Sequence, residues 1–185
     1  MSFSQKAPNS IQNKLDLFGR EPGRFALRAI MAGVLLGIMT AFAAATATLT
    51  ESYAPGWGKY PFAVIFAVTL YMIVVLQAEL ATGNMMFMTY GFVHKLNSIP
   101  RGLVVILFVT FFNLVGAAIV SWLISMTTTG QNAETTMPFM ASLWEAKLAK
   151  PSLTLFFEAI LANMVVNIGF MLTAQAGNCL LYTSD

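Results

Sequence analysis

Long apolar segments separated by short polar ones dominate the hydropathy pattern of this chain. A helix needs roughly 20 apolar residues to cross a hydrocarbon core. Four segments approach or exceed that length, at residues 29–49, 60–80, 102–126 and 153–172. The pattern therefore predicts four membrane-spanning helices.

The second apolar segment is interrupted near its end by a polar stretch. Gln77-Ala-Glu-Leu-Ala-Thr-Gly-Asn84 places a carboxylate, a hydroxyl, two amides and a glycine there. Backbone without helical hydrogen bonds is tolerated at membrane depth only where it is buried in protein or lines a water-filled cavity. We therefore predict a helix break, then a short helix to residue 95, with a substrate pathway at the break.

Residues 1–28 are polar and precede the first apolar segment. They lack the short apolar core and small-residue cleavage site of a signal peptide, so the first apolar segment is retained as a span. Ile11, Leu15 and Phe18 fall on one helical face. A helix along the membrane surface and a solvated tail with chance periodicity both fit this pattern, and Pro22-Gly23 is expected to end the segment.

The composition and charge distribution support membrane insertion. At 57% hydrophobic and 10% charged residues, the chain has too few charges for the surface of a soluble domain. Five basic residues precede the first span and two follow the second, against three in the remaining connections. This asymmetry predicts a multi-pass protein of the cytoplasmic membrane whose N-terminus is cytoplasmic.

Small and amide residues inside the spans indicate helix contacts. The Gly33-xxx-Gly37 motif and the small-residue run at 41–47 allow close approach of another helix, in the same chain or at an oligomer seam. Asn113 lies in the third span, and Asn163 and Asn167 lie one helical turn apart on one face of the fourth. We interpret each amide first as a structural clamp and only second as a pore residue, and of the three we count Asn163 with the predicted substrate pathway.

Three local patterns on successive spans resemble those of the formate/nitrite transporter family. They are Ala78-Glu-Leu-Ala-Thr-Gly-Asn84, Phe112-Asn-Leu-Val-Gly-Ala117 and Ile160-Leu-Ala-Asn-Met-Val-Val166. The resemblance covers roughly residues 5 to 178. It implies an all-α integral membrane protein with an aquaporin-like inverted-repeat bundle, of which this chain holds the first repeat and the first helix of the second.

The resemblance also implies a function. Family members are pentameric, channel-like carriers of small monovalent anions in the lipid bilayer, so formate, nitrite or a related weak-acid anion is the expected substrate. Transport is expected to be proton-linked in the intact protein. Formate, nitrite, hydrosulfide, acetate and lactate all fit such a scheme.

Site residues follow from the resemblance position by position. Thr82 matches the pore-loop threonine whose hydroxyl meets the substrate, and Lys147, sixteen residues before Asn163, matches a lysine in the outer vestibule. The residues that match the narrow parts of the pathway are Leu80, Ala81, Leu70 and Val166 on the cytoplasmic side and Phe66 on the outer side. Ala81 replaces a phenylalanine often found in the family, which would widen the inner constriction.

Glu79, Gly83 and Asn84 are assigned structural roles at the break. A carboxylate in the path of an anion would repel it, so we expect Glu79 to accept hydrogen bonds from free amides of the broken helix.

The C-terminal part of the sequence carries its own expectations. The family's fifth span, with its central histidine, has no counterpart here, and His94 after the second span is not that residue. Cys179-Leu-Leu-Tyr-Thr-Ser-Asp185 resembles a translated sequencing-library adapter. We therefore expect a membrane domain at 29–178, an artefactual tail at 179–185, and partial helix at 139–149 in the connection before the fourth span.

Two other function classes are weighed against transport of anions. A neutral-solute channel of the aquaporin type shares the architecture, but the Asn-Pro-Ala signature is missing. A membrane-anchor subunit of a redox enzyme explains four spans, yet one histidine and one cysteine cannot hold a bis-histidine haem or an iron–sulfur cluster. The sequence contains no recognisable motif for an enzyme, a cofactor, a metal or a nucleic-acid partner.

Overall fold

The regular elements of the chain are all helices in the part that the structure, a computed structural model, describes: residues 3–132 and 136–181. The all-α prediction is therefore confirmed. In chain order the helices are α1 (Phe3–Arg20), α2 (Pro22–Tyr53), α3 (Lys59–Val75), α4 (Ala81–Val93), α5 (Ile99–Ser125), α6 (Thr128–Gln131), α7 (Pro138–Leu148) and α8 (Ser152–Leu181). The adapter-like tail extends beyond Leu181, outside the described residues.

Three helices are long and apolar enough to cross a membrane: α2, α5 and α8 as far as Leu172. The apolar helix α3 has only 17 residues. At 1.5 Å per residue it extends roughly 26 Å, short of a hydrocarbon core of about 30 Å. The polypeptide must therefore continue through α4 to complete this crossing.

The first long helix begins earlier than the apolar pattern indicates. It starts at Pro22, which occupies the first helical turn, where its missing N–H costs nothing. The predicted helix in the connection before the fourth span is confirmed by α7.

Helix α1 packs on the rest of the protein. Ala7, Ile11 and Leu15 are buried in the same core cluster as Phe25 of α2. The ring of Phe18 also lies edge-on to that of Phe25, with centroids 5.6 Å apart. The periodicity correctly indicates a helix, but the solvated-tail interpretation is wrong, and the apolar face contacts protein rather than lipid.

Glycines allow α2 and α5 to touch backbone to backbone. A Cβ atom on Gly33 would lie 2.0 Å from the carbonyl oxygen of Asn113, and one on Gly116 would lie 2.2 Å from that of Ile30. A Cβ atom on Gly37 would lie 3.0 Å from the side chain of Val120. The Gly33-xxx-Gly37 motif therefore serves a contact inside the chain, and the alternative of an oligomer seam stays untested.

The two ends of the helical bundle are distinguished by their contacts. At the end that we call inner, Arg101 at the start of α5 donates to the carbonyl oxygen of Leu15 in α1 at 3.4 Å. At the opposite, outer end, Phe62 of α3 lies 5.6 Å from Phe139 of α7, measured between ring centroids. Helix α8 starts after α7 and contacts α3 and α4.

Candidate functional site

The backbone leaves the helical conformation between α3 and α4. Gln77 has a φ of 54°, in the left-handed region that non-glycine residues seldom adopt. Leu80 is extended, with φ of −91° and ψ of 137°, and directly precedes α4. The polar stretch predicted to interrupt the second span thus does interrupt it.

Asn113 of α5 holds the two sides of this break together. Its Nδ2 donates to the carbonyl oxygens of Glu79 and Ala29, both at 2.8 Å, and its Oδ1 accepts from the N–H of Ala81 at 2.9 Å. The Glu79 carbonyl and the Ala81 N–H are backbone groups for which the broken helix supplies no regular partner, and the contact to Ala29 ties the break to α2. The interpretation of Asn113 as a clamp is confirmed.

Glu79 lies buried at the break and is neutralised by α1. Its Oε2 forms an ion pair with Lys14 and accepts from Nδ2 of Asn84 at 2.9 Å. The ammonium of Lys14 also lies 5.4 Å from the ring centroid of Phe87. The expectation that Glu79 accepts from an amide of the broken helix is met by the side-chain amide of Asn84, and the ammonium of Lys14 is a second, charged partner that the sequence did not predict.

Thr82 lies in the first turn of α4, beside a contact with α8. Its Oγ1 is buried and has no hydrogen-bond partner in the described part of the chain. The next residue, Gly83, lies so close to Phe170 of α8 that an added Cβ would be 3.3 Å from its ring. No described group therefore uses the hydrogen-bonding capacity of the Thr82 hydroxyl.

The residues matched to the inner constriction lie around the same break. Leu80 packs in a buried cluster with Ile73, and Leu70 lies against that cluster. Val166 is partly exposed on α8, one turn before Phe170. Ala81 packs on the neighbouring core around α1. Their role in narrowing a pathway stays a prediction.

The residues matched to the outer vestibule share one cavity. Phe66 and Lys147 both line a space of about 560 Å³ between α2, α3 and α7. Lys147 is exposed and forms no ion pair with any described residue. Lys150, by contrast, contacts both carboxylate oxygens of Glu158, at 2.8 and 2.9 Å. Asn163 bonds within its own helix, where its Nδ2 donates to the carbonyl oxygen of Ala159 at 2.8 Å.

Comparison with known proteins decides the family. A model of the family described as "Formate/nitrite transporter" matches residues 3–180. The chain belongs to the formate/nitrite transporter family. It is also 30% identical over 173 residues to the "Uncharacterized transporter YwcJ" of Bacillus subtilis (strain 168). That match covers 91% of this chain but only 65% of the relative's length.

This formate/nitrite transporter family member has a second, inner cavity that sequence reasoning missed. The cavity measures about 320 Å³ and carries Lys14, Arg28, Gln77 and Glu79 on its walls. Nη2 of Arg28 lies 3.5 Å from Oε1 of Gln77. The only sequence signal for Lys14 was its position off the apolar face of α1, which does not reveal a partner 65 residues away.

Proposed function

We propose that this chain is part of a channel-like transporter for small monovalent anions such as formate or nitrite. The proposed pathway runs from the outer cavity at Phe66 and Lys147 to the break at Thr82, then through the inner constriction formed by Leu80, Ala81, Leu70 and Val166, and on to the inner cavity. The intact protein is proposed to be a homopentamer in the cytoplasmic membrane with its N-terminus inside. Family membership supports the transport class, and the buried, unpartnered hydroxyl of Thr82 carries the choice of site.

In this proposal, a positive charge attracts the anion and apolar constrictions oppose the passage of charged solutes. Lys147 raises the local concentration of anions at the outer cavity. A bare anion would then meet a steep desolvation penalty at the apolar side chains that follow. Protonation of the anion removes this penalty, so transport linked to protons is the expected mode.

Glu79 does not obstruct an anion in this scheme, although it lies close to the pathway. Its charge is balanced by Lys14, and its carboxylate is held by Asn84. The negative charge of the buried carboxylate at the helix break is thus balanced by a positive charge from the same chain. This arrangement supports a structural role for Glu79 and leaves Thr82 as the substrate-facing group.

The substitution Thr82→Val tests the central claim because it removes the hydroxyl and keeps the shape. In the full-length protein in liposomes, we expect uptake of formate or nitrite to fall about tenfold, as the loss of one substrate hydrogen bond implies. Thr110→Val is the matched control, since the Thr110 hydroxyl donates to the carbonyl oxygen of Ile106 in its own helix. Unchanged uptake in Thr82→Val at equal membrane abundance would contradict the proposed site.

A further inference from the structure

Three asparagines inside the spans have different hydrogen-bonding states. Asn113 uses both ends of its amide, and Asn163 donates to its own helix. The Oδ1 of Asn167 is buried, and no described residue hydrogen-bonds to it. A buried acceptor without a donor is costly and therefore calls for a partner. The clamp role that we predicted for Asn167 therefore has no partner among the described residues and stays a prediction.

The position of Asn167 follows from its neighbours on α8. Phe170, one turn later on the same face, contacts Gly83 and the ring of Phe87. Helices α8 and α4 both run toward the inner end, so Asn167 lies about 4.5 Å to the outer side of Phe170. This places it at the level where α4 begins, the level of Thr82.

Among the buried polar oxygens without a partner in the described residues, one on α4 and one on α8 are thus placed at about the same level by the helix spacing. They are Oγ1 of Thr82 and Oδ1 of Asn167. A hydroxyl can donate or accept, whereas an amide oxygen only accepts. A bare anion has no hydrogen to give to Asn167.

We propose that Asn167 is a specificity-determining residue that binds the carried weak acid in its protonated form, together with Thr82. The Asn167 Oδ1 accepts from the acid O–H, and its Nδ2 donates to the acid's other oxygen. The proton comes from bulk water on one side and returns to water on the other, so no bond to the protein is made or broken. This inference rests on the proposed function and adds to it a preference for protonatable oxyacids over halides.

The substitution Asn167→Leu in the full-length protein tests this inference. It removes donor and acceptor with little change in volume, and formate uptake in liposomes at mildly acidic pH is expected to fall about tenfold. The thermal unfolding midpoint should stay the same or rise, because an unpaired buried polar group is replaced by an apolar one. Thr48→Val is the control, since the Thr48 Oγ1 is also buried without a partner but lies on α2. That control should leave uptake unchanged, and its unfolding midpoint should likewise stay the same or rise.

The double variant Thr82→Val, Asn167→Leu tests whether both side chains bind the same molecule. Contacts to one shared ligand are expected to be non-additive, so the double variant should lose little more uptake than the more damaging single variant. Losses that multiply would show two separate contacts and would overturn the shared site.

Three other outcomes would contradict the inference or the proposed function. Unchanged uptake in Asn167→Leu would show that the amide is not used. A lowered unfolding midpoint, with uptake falling only in proportion to folded protein, would show a structural clamp to another part of the protein. If the unmodified full-length protein carries neither formate nor nitrite, the proposed function itself fails, which is a result distinct from either of these.

Discussion

The inner and outer parts of the proposed pathway differ in how their charges are held. At the inner part, Lys14 and Glu79 form a buried ion pair that Asn84 completes. At the outer part, Lys147 is exposed on the wall of a larger cavity and has no ion-pair partner in the described residues. The two lysines are therefore held differently, and in the proposed function they have different tasks.

The different exposure of the two lysines to water explains why one is paired and the other is not. A charge removed from water needs a paired charge and hydrogen bonds, whereas an exposed ammonium is stabilised by water itself. Lys14 thus helps to fix the break, while the unpaired charge of Lys147 would, in the proposed function, attract an approaching anion. Measurements at each site test this difference.

The largest expected effect comes from breaking the inner pair. Glu79→Leu leaves the Lys14 ammonium partly buried without its carboxylate, which should lower the free energy of unfolding by about 3–5 kcal/mol. Glu158→Leu breaks an exposed pair with Lys150 and should cost no more than about 1 kcal/mol. Thermal or denaturant unfolding of the purified protein in detergent measures both.

A second variant tests whether the loss of stability comes from the unpaired charge. Adding Lys14→Met to Glu79→Leu removes the stranded ammonium and should restore much of the lost stability. If the double variant is as unstable as Glu79→Leu, the loss of stability does not come from the stranded ammonium. If the two single glutamate variants lose equal stability, the inner pair is no more important than a surface contact.

The sequence predicted the helices and the break well because both depend on local patterns. Apolar segment length indicates spans, and a polar interruption such as the one around Glu79 indicates a break. The partner of Glu79 was not predictable, since Lys14 lies on a separate helix far away in sequence. Likewise, the periodicity of α1 specifies an apolar face but not whether that face meets lipid or protein.

An intermediate effect is expected at the contact between α2 and α5, which keeps Asn113 within reach of the break. Gly116→Ala forces a Cβ against the carbonyl oxygen of Ile30, and backbone cannot yield as a flexible side chain can. We expect a loss of about 1–3 kcal/mol in unfolding free energy. Hydrogen exchange should also speed up at the N–H of Ala81, which Asn113 caps.

Gly23→Ala is the matched control, because nothing lies within 4 Å of a Cβ at that position of α2. It should be neutral or slightly stabilising, since alanine is the better helix former. If Gly116→Ala speeds up hydrogen exchange only in the outer helix α7, the prediction is contradicted. The α2–α5 contact would then support the outer part rather than the inner break.

Glycine placement shows a further limit of sequence reasoning. The Gly33-xxx-Gly37 spacing predicted a close helix contact and left open whether the partner helix belongs to the same chain. The partner, α5 at Gly116, is defined only in three dimensions. A small-residue motif specifies how near a helix can come but carries no information on which helix comes.

The smallest expected effect on stability, but a clear one on uptake, concerns Lys147. Lys147→Met in the full-length protein should leave the unfolding midpoint unchanged and lower anion uptake several-fold at low salt, because the charge that concentrates anions is lost. Lys147→Arg should reduce uptake less, since the positive charge is kept.

Lys150→Met is the control for this prediction, because that ammonium is already paired with Glu158 and adds little field of its own. Because exposed charges are screened over about 10 Å at 0.1 M salt, the difference between the two methionine variants should shrink as ionic strength rises. Equal uptake losses for both, or a loss at Lys147 that is insensitive to salt, would mean that vestibule charge does not distinguish the outer part from the inner one.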